Sequence, residues 1–417
     1  MTEPTAALYR GDCMESLAGL EDNSIDAVIT DPPYGLTPLP ARKTLPVIRG
    51  WLDGDRAAMP KGRGFLSAPW DAFVPPPALW DEVSRVLKPG GHLVSFSGAR
   101  TQDLTALAIR LAGFEIRDSL IWIRGGSMPK SSNVSQLIDR SRNQNRDRQL
   151  EFTEWMRSTG ITTEVINKAT GTHMGGHYLT AASQPAIATA DLFDKLRPHL
   201  PEVPERIERL VAERTGIEWT DYAKRRVIGH HTKSSDTMDW RAKHLGRTTE
   251  LGKITESHSE EAKAWEGWGT GVKPNHEPAI LARKPLDGTL AVNVLEHGTG
   301  ALNIEASRHG ERWPNNVAVD EEAAEQLGDR SHYFYCPRAG RSERVKVDGV
   351  SHPTVKPLEL MRWIVRLVTP PGGVVLDPFA GSGSTLEAAR LEGFSSIGME
   401  RDPAFVKIIE HRLGLES

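Results

Sequence analysis

The sequence has little of what marks secreted, disulfide-linked or membrane-spanning proteins. Its 417 residues include two cysteines, Cys13 and Cys336, which are too distant in sequence to indicate a disulfide framework or a metal site. No apolar run approaches the length that crosses a bilayer, and the first residues have neither the basic nor the apolar part of a secretion signal. These absences predict a cytoplasmic protein with no membrane partner.

A large net charge is absent as well. The formal net charge is −4 and the sequence pI is about 6.4, so the whole molecule lacks the basic character typical of nucleic-acid binders. A local basic groove is still compatible with this balance. With 38% hydrophobic and 25% charged residues, the composition is that of a globular chain with enough core for two or three domains.

Strands and helices alternate in the first part of the chain. The apolar run in residues 25–31 predicts a buried strand, and the amphipathic segment 78–87 predicts a helix. Residues 92–97 and 115–123 predict two further strands, with a helix over residues 101–112 between them. This alternation predicts an α/β fold with a parallel sheet and right-handed crossovers.

Three segments depart from this pattern. Residues 36–75 are rich in Gly, Pro, Arg and Trp, and we expect a long loop there. Residues 127–271 are polar and helical in tendency, whereas residues 286–350 are irregular, with aromatic and basic side chains towards their end. A strand-like run at residues 276–285 lies between the last two segments and indicates that the sheet resumes there.

The tetrapeptide Asp31-Pro32-Pro33-Tyr34 follows the first predicted strand. Its two prolines fix two φ angles and remove two N–H donors, so the segment is stiff. The Asp31 carboxylate and the Pro32 carbonyl can accept hydrogen bonds from an amino group, and Tyr34 offers a flat face. Such a site suits a planar heterocycle with an exocyclic amine. A proline-rich loop after an edge strand is the alternative interpretation.

A second cluster is found at residues 373–385, where a buried strand ends in Asp377 and a loop of small residues precedes a helix. Gly381 and Gly383 permit close backbone approach and positive φ angles. A dinucleotide fingerprint would have a third glycine and a P-loop would have a lysine, so NAD and ATP are disfavoured. The next strand ends in Glu400, at the spacing at which such folds place a carboxylate on ribose hydroxyls. The pattern favours a nucleoside with a sulfonium or amino-acid tail.

Together the two clusters resemble the family of amino-methyltransferases that modify exocyclic amines of adenine or cytosine in DNA with S-adenosylmethionine. Residues 31–34 are similar to the catalytic motif of that family, and residues 377–383 are similar to its cofactor motif. Because the catalytic motif comes first, the order resembles that of the permuted β group. Residues 352–357 and 11–13 are similar to two further family elements, and enzymes of phages and prophages are the most similar.

The resemblance implies a Rossmann-like S-adenosylmethionine-dependent methyltransferase sheet with circularly permuted motif order and a large, mostly helical insertion. Residues 1–126 would form the catalytic half of the methyltransferase domain, and residues 272–417 would form the remainder with the cofactor motif. Residues 127–271 would be the insertion, which we interpret as the target-recognition region that binds DNA. Residues 286–350 are an additional candidate for DNA contacts.

The resemblance also implies the site residues. The catalytic residues would be Asp31, Pro32, Pro33 and Tyr34. Within the cofactor site, Glu400 would bind the ribose, Asp12 the adenine amino group, and Thr354 and Lys356 would lie near the amino-acid end. No metal is expected. The residues that would hold S-adenosylmethionine, which leaves as S-adenosylhomocysteine, are Asp12, Cys13, Asp31, Thr354, Lys356, Asp377, Phe379, Ala380, Gly381, Ser382, Gly383, Ser384, Thr385, Glu400 and Arg401.

Candidates for DNA contacts come mainly from an arginine-rich run at residues 139–148, for which a solvated surface is the alternative. Residues 163–179 have the outline of a helix-turn-helix, although two glycines weaken the second helix. His173 and His177 are interpreted as ordinary surface histidines, because no third ligand accompanies them. The predicted DNA-contacting residues are Arg140, Arg142, Arg146, Arg148, Arg338 and Arg341.

The predicted reaction is methyl transfer to N6 of adenine in double-stranded DNA, after the base is flipped out of the stack. Adenine is favoured because the catalytic motif begins with Asp31, where cytosine-N4 members of the family often have serine. N4 of cytosine is the alternative, followed by a non-catalytic DNA-binding protein that retains the fold and by methylation of RNA or protein amides. A homodimer and a restriction endonuclease partner are compatible with the resemblance, in a bacterial or phage-infected cytoplasm.

Overall fold

A computed structural model gives the fold of the chain. It divides the chain into two compact units, of which unit 1 comprises residues 1–127 and 274–417 and unit 2 comprises residues 128–273. The insertion expected from the sequence had limits of 127 and 271. The structure describes residues 4–36, 39–60, 72–125, 131–143, 146–180, 184–215, 227–230, 253–255, 260–335, 343, 345–352 and 354–415.

The strands of the described chain are β1 (Ala6–Arg10), β2 (Ile25–Thr30), β3 (Leu87–Phe96), β4 (Glu115–Ile123), β5 (Val227–His230), β6 (Lys253–Thr255), β7 (His276–Arg283), β8 (Val317–Val319), β9 (Val374–Asp377) and β10 (Ser395–Glu400). The helices of unit 1 are α1 (Cys13–Ala18), α2 (Ala41–Leu52), α3 (Pro77–Val86), α4 (Gln102–Leu111), α12 (Leu290–His297), α13 (Glu321–Leu327), α14 (Leu358–Val368), α15 (Ser384–Leu391) and α16 (Pro403–Leu413). Those of unit 2 are α5 (Val134–Asn143), α6 (Arg146–Ser158), α7 (Thr163–Thr170), α8 (Gly175–Leu179), α9 (Ala190–Leu196), α10 (Glu205–Thr215) and α11 (Glu260–Lys263). Within the parts of the chain described, no helix is long and apolar enough to cross a membrane.

Unit 1 is built on a sheet with the strand order β1-β10-β9-β2-β3-β7-β4-β8. Neighbouring strands are parallel except at β7, which is antiparallel to both β3 and β4. The α/β class and the permuted order are confirmed, because β9 and β10 from the end of the chain pair with β1 and β2 from its start. The reversed strand β7 was not part of the prediction of a parallel sheet.

The alternation of side chains along the strands divides the core of unit 1 into two layers. On β2, Val28 packs with residues of helices α1 to α4, whereas Ala27 and Ile29 pack with residues of α14 and α15. On β9, Leu376 and Val375 divide in the same way. Helices therefore cover both faces of the sheet, as a mostly parallel sheet requires.

The predicted loop at residues 36–75 was wrong in part, because helix α2 lies within it. Val47 and Trp51 are buried on one face of this helix and pack in the core. Pro46 stands between them and the start of the helix, and proline is disfavoured inside helices. Packing of the apolar face has overridden the local propensity that indicated a loop.

Two further expectations differ from the structure. Residues 286–350 were predicted to be irregular, yet they contain α12, β8 and α13. These elements have eight residues or fewer, so their periodicity is weak in the sequence. Strand β3 begins at Leu87, whereas the sequence predicted a helix up to residue 87 and a strand only from residue 92.

The described residues of unit 2 are mostly helical, and the two ends of the unit are hydrogen bonded to each other. Asn133 and Gly269 form an antiparallel bridge. On either side of it, Thr270 N donates to the carbonyl of Ser132 at 3.2 Å, and the first amide of α5 donates a hydrogen bond of 3.0 Å to a carbonyl of the returning chain. We call this set of contacts the clasp.

The predicted helix-turn-helix of unit 2 consists of α7, a turn and α8. Gly171 ends α7 in the left-handed conformation with φ of 68°, which favours glycine. Helix α8 has five residues, so it provides little more than one turn for contacts with a DNA groove.

Candidate active site

The two predicted motifs lie side by side at the carboxyl edge of the sheet. Strands β2 and β9 are parallel neighbours, with Val28 paired to Leu376, so the residues that follow them emerge at the same edge. Thr30 Oγ1 donates a hydrogen bond of 2.7 Å to Asp377 Oδ1. Two residues that are 347 positions apart in the sequence are therefore in direct contact.

Residues 31–34 form a loop that is fixed by contacts on both sides. Asp31 Oδ1 accepts a hydrogen bond of 2.5 Å from the Tyr34 hydroxyl. The Tyr34 carbonyl accepts one of 2.7 Å from Thr101 Oγ1. Gly35 follows with φ of +61°, and a Cβ there would lie 2.9 Å from the backbone of Phe73, so glycine is required at the turn.

A buried lysine reaches this loop from the other end of the chain. The Lys356 ammonium donates to Asp31 Oδ2 and lies 3.1 Å from Tyr34 Oη and 3.4 Å from Glu277 Oε2. Only 6% of the Lys356 side chain is exposed. The other oxygen of Glu277 accepts a hydrogen bond of 2.5 Å from Arg124. Two carboxylates and two cations thus form one network at the sheet edge.

Burial and ion pairing oppose each other in this network. Burial disfavours the charged ammonium, but Asp31 and Glu277 outweigh it and raise the pKa of Lys356. Burial also disfavours the Glu277 carboxylate, yet Lys356 and Arg124 hold its pKa below the usual value. Burial, followed by the charges of Asp31 and Glu277, raises the pKa of Tyr34 well above its usual value. At neutral pH the lysine and the glutamate are therefore charged and the tyrosine is neutral.

The loop of residues 378–383 follows β9, and we call it the glycine loop. It is held by a hydrogen bond from a main-chain amide to the Glu400 carboxylate. Glu400 Oε2 accepts a hydrogen bond of 2.9 Å from Gly381 N, and Oε1 accepts one of 2.8 Å from Asp402 N. Gly381 and Gly383 have φ of +51° and +77°, and a Cβ on Gly381 would lie 3.0 Å from the His352 imidazole. The two glycines therefore allow the close turn that brings an amide to the Glu400 carboxylate.

Asp377 is buried and Glu400 is half-buried, and both accept hydrogen bonds in place of an ion pair. Besides the bond from Thr30, Asp377 Oδ1 accepts one of 3.1 Å from Phe379 N. Burial raises the pKa of Asp377 to about 6, against the hydrogen bonds from Thr385 and Thr30 that lower it. Burial likewise raises the pKa of Glu400, against the amide hydrogen bonds it accepts.

The other predicted cofactor residues differ in exposure. Asp12 is the N-cap of α1, and its Oδ1 accepts a bond of 2.9 Å from an amide of that helix. Cys13 follows, and burial raises the pKa of its thiol to about 11. Thr354 and Arg401 are exposed. The buried members of the set, besides Lys356, Asp377 and Gly383, are Ala380, Ser382, Ser384 and Thr385.

The predicted DNA-contacting arginines are described only in part. Arg140 and Arg142 lie in α5 and Arg146 begins α6, while Arg148 follows in α6 and is half-buried. Residues 338 and 341, both arginines, lie outside the described part of the chain. Contact of these residues with DNA stays a prediction.

Glu277 and Arg124 are site residues that the sequence did not single out. Arg124 follows the end of β4, which runs in the same direction as β2, so it emerges at the carboxyl edge. Glu277 reaches the same edge because β7 is reversed and begins there. Charged residues at the ends of otherwise apolar strands are the signal that could have indicated both, once the direction of β7 is known.

Part of the chain matches the model of a known protein family. Residues 219–411 match the DNA methylase family model, N6_N4_Mtase. The matched segment includes β7, Lys356 and the glycine loop, whereas residues 31–34 precede it.

Two curated relatives are type II methyltransferases. M.HindIII of Haemophilus influenzae is 36% identical over 155 residues, which make up 36% of this chain and 45% of that protein. M.ScaI of Streptomyces caespitosus is 34% identical over 76 residues, or 18% of this chain and 25% of that protein. The matches thus span less than half the length of these relatives. Together with the family match, they confirm the resemblance to DNA methyltransferases.

Solved structures of low sequence identity were also matched. The complex of M1.HpyAVI with SAM is 13% identical, with a TM-score of 0.39 over 98% of this chain and 100% of that one. The PvuII DNA methyltransferase, described as cytosine-N4-specific, is 13% identical, with a TM-score of 0.41 over 99% of this chain and 89% of that one.

Proposed function

We propose, on the premise that residues 219–411 form a domain of the DNA methylase family, that this chain transfers a methyl group from S-adenosylmethionine to adenine N6 in double-stranded DNA. The proposal rests on one observation above all, the contact between the Asp31 loop and the glycine loop through Thr30 and Asp377. A stiff acceptor for an amine and a loop suited to a nucleoside are neighbours at one sheet edge.

The Asp31 loop, residues 31–34, would hold the target amine, and we therefore call it the catalytic loop. The Asp31 carboxylate and the Pro32 carbonyl would accept its two hydrogen bonds, which localises the nitrogen lone pair and directs it at the methyl donor. The gain is therefore positioning and electrostatics. The amine is buried in the base stack of a duplex, so the base would be flipped into the site, with Tyr34 as a stacking face.

S-adenosylmethionine, when bound, supplies an electrophilic methyl group. The residues around the glycine loop fit its nucleoside part, because the Glu400 oxygens can accept hydrogen bonds from ribose hydroxyls in addition to the amides of Gly381 and Asp402. Gly381 and Gly383, both with positive φ, allow the tight turns that shape this loop. The proposed transfer is direct from the cofactor to the amine, and burial would keep the Cys13 thiol neutral at physiological pH because it raises the pKa of that thiol to about 11.

Adenine is proposed over cytosine because of the first residue of the catalytic motif, Asp31, where the family resemblance leads one to expect serine in many N4 enzymes. Cytosine N4 is the second candidate, since the same acceptor pair serves both amines. For sequence recognition we propose unit 2, supported by the arginines of α5 and α6, with residues 286–350 as a further contact. A restriction endonuclease partner and a homodimer belong to the same proposal.

Tritium transfer from labelled S-adenosylmethionine to unmethylated plasmid DNA tests the catalytic assignment. We expect the wild type to label DNA and Asp31→Ala to lower the rate at least about 100-fold at saturating S-adenosylmethionine, with the cofactor affinity of both proteins measured by calorimetry. Asp22→Ala is the matched control, because Asp22 is an exposed partner of Arg85 in the same half of the domain, and it should keep its activity. Wild-type turnover by Asp31→Ala would contradict the assignment.

Mass spectrometry of nucleosides from the methylated plasmid identifies the base. We expect N6-methyladenine, and N4-methylcytosine as sole product would replace adenine with the second candidate. DNA that binds the wild type but acquires no label would instead favour a non-catalytic DNA-binding protein.

A further inference from the structure

The Lys356 ammonium makes contacts of the kind that the proposed target amine needs. It donates to Asp31 Oδ2, while the Tyr34 hydroxyl donates to Oδ1. It also lies 5.5 Å from the centre of the Tyr34 ring and 4.9 Å from the centre of the Phe96 ring. An amine that is to be held by Asp31 and stacked on Tyr34 therefore has a resident competitor.

The ion pair also weakens Asp31 as an acceptor. A carboxylate whose charge is compensated by an ammonium attracts a neutral amine less strongly than a free carboxylate does. Lys356 cannot simply leave, because its side chain is 6% exposed and a buried, unpaired ammonium is strongly disfavoured. It needs another anion within reach.

Glu277 is placed to be that anion. Its Oε2 lies 3.4 Å from the Lys356 ammonium, a distance at the long end for a hydrogen bond, so a small movement of the lysine would shorten it. Its Oε1 is held at 2.5 Å by Arg124, which fixes the carboxylate and leaves Oε2 facing the lysine. Asp31 and Glu277 thus offer two acceptors to one ammonium.

We propose that Glu277 is a positioning residue that takes the Lys356 ammonium over from Asp31 when the target amine enters. The inference rests on the proposed function, since it concerns the amine that Asp31 accepts. Lys356 remains paired throughout, and no proton is transferred. Glu277 acts through Lys356 and contacts neither the base nor the cofactor.

The test measures the KM for plasmid DNA, kcat and the dissociation constant of S-adenosylmethionine separately. Glu277→Gln keeps the shape of the side chain but removes its charge, so the ammonium should stay on Asp31. We expect the KM for DNA to rise about tenfold, with cofactor affinity changed less than about twofold. Glu277→Asp keeps the charge and should recover part of the loss, and it also provides the test if the glutamine variant does not fold.

Two further variants separate positioning from damage to the fold. Glu392→Gln is the matched control, because Glu392 is also a half-buried carboxylate that contacts two cations, Arg362 and Arg366, and it should leave the KM for DNA unchanged. In a Lys356→Met background, Glu277→Gln should have no further effect on the KM for DNA, because the residue through which it acts is gone.

The outcomes distinguish this inference from the proposed function. An active wild type together with an unchanged KM for DNA in Glu277→Gln overturns the inference alone. An equal rise in KM in the Lys356→Met background overturns it too. A wild type that transfers no methyl group to DNA overturns the proposed function, and the inference with it.

Discussion

The two loops at the sheet edge stabilise their carboxylates by different means. At the catalytic loop, Glu277 lies between Lys356 and Arg124, and its pKa is lowered in spite of burial. At the glycine loop, Asp377 and Glu400 accept hydrogen bonds from amides and hydroxyls, and burial raises their pKa. Cations supply charge and can be exchanged between acceptors, whereas main-chain donors fix a geometry without compensating the charge. The first loop is thus suited to change partners and the second to keep a shape.

Removal of the Lys356 charge should have the largest effect on stability. Lys356→Met would remove a buried cation and leave the half-buried Asp31 and Glu277 carboxylates with one cation fewer, so we expect the free energy of unfolding to fall by roughly 3 to 5 kcal/mol in urea titrations. Lys407→Met is the control, because Lys407 and Asp348 form an exposed, solvent-screened pair whose loss should change the free energy of unfolding far less. Equal decreases in the free energy of unfolding for both variants would show that the network around Lys356 does not depend on its charges.

The pH dependence of stability tests the burial of the Asp377 carboxylate at the glycine loop. The folded-state pKa of Asp377 is about 6 against a usual value of 3.8, so the folded protein favours the protonated carboxyl. Through this group the wild type therefore loses stability as pH rises from about 4 to 6, by roughly 3 kcal/mol. Asp377→Asn should lack this loss. Urea titrations of both proteins at several pH values in that window measure the difference, and parallel curves would contradict the expected burial of charge.

Substitution of a glycine in the glycine loop should have a smaller, steric effect on stability. Gly381 and Gly393 both have positive φ, +51° and +80°, but only a Cβ on Gly381 would meet a neighbour, the His352 imidazole at 3.0 Å. We expect Gly393→Ala to lower the free energy of unfolding by about 1 kcal/mol through the backbone alone, and Gly381→Ala by about 2 kcal/mol. If urea titrations gave the same value for both, the contact with His352 would have no part in the requirement for glycine.

The sequence predicts the glycine loop more completely than the network around Asp31. The glycine loop is contiguous, and a strand, small residues, a helix and a second acid at fixed spacing specify it locally. The network at Asp31 draws on residues 124, 277 and 356 as well, and their meeting depends on the order of the sheet and on the reversal of β7. No local pattern contains that information.

The errors in the prediction of the fold have the same physical origin. Helix α2 is stabilised by the burial of Val47 and Trp51 in the core, which outweighs the unfavourable Pro46 inside it. The short strand β8 is stabilised by pairing with β4 at the edge of the sheet. Both elements depend on contacts with distant parts of the chain, which a sequence window does not include.

The pairing of β4 with β7 makes the insertion the turn of a β-hairpin. Ile123 is paired with His276, and unit 2 lies in the chain between them. If that connection of roughly 150 residues were unstructured, closing the pair would cost about 3 kcal/mol more in chain entropy than closing a four-residue turn. The clasp between Asn133 and Gly269 removes most of this excess, because it shortens the effective loop to the residues outside it. Folding of unit 2 thus helps to complete the sheet, and the chain inside the clasp can vary in length without shifting the register of β4 against β7.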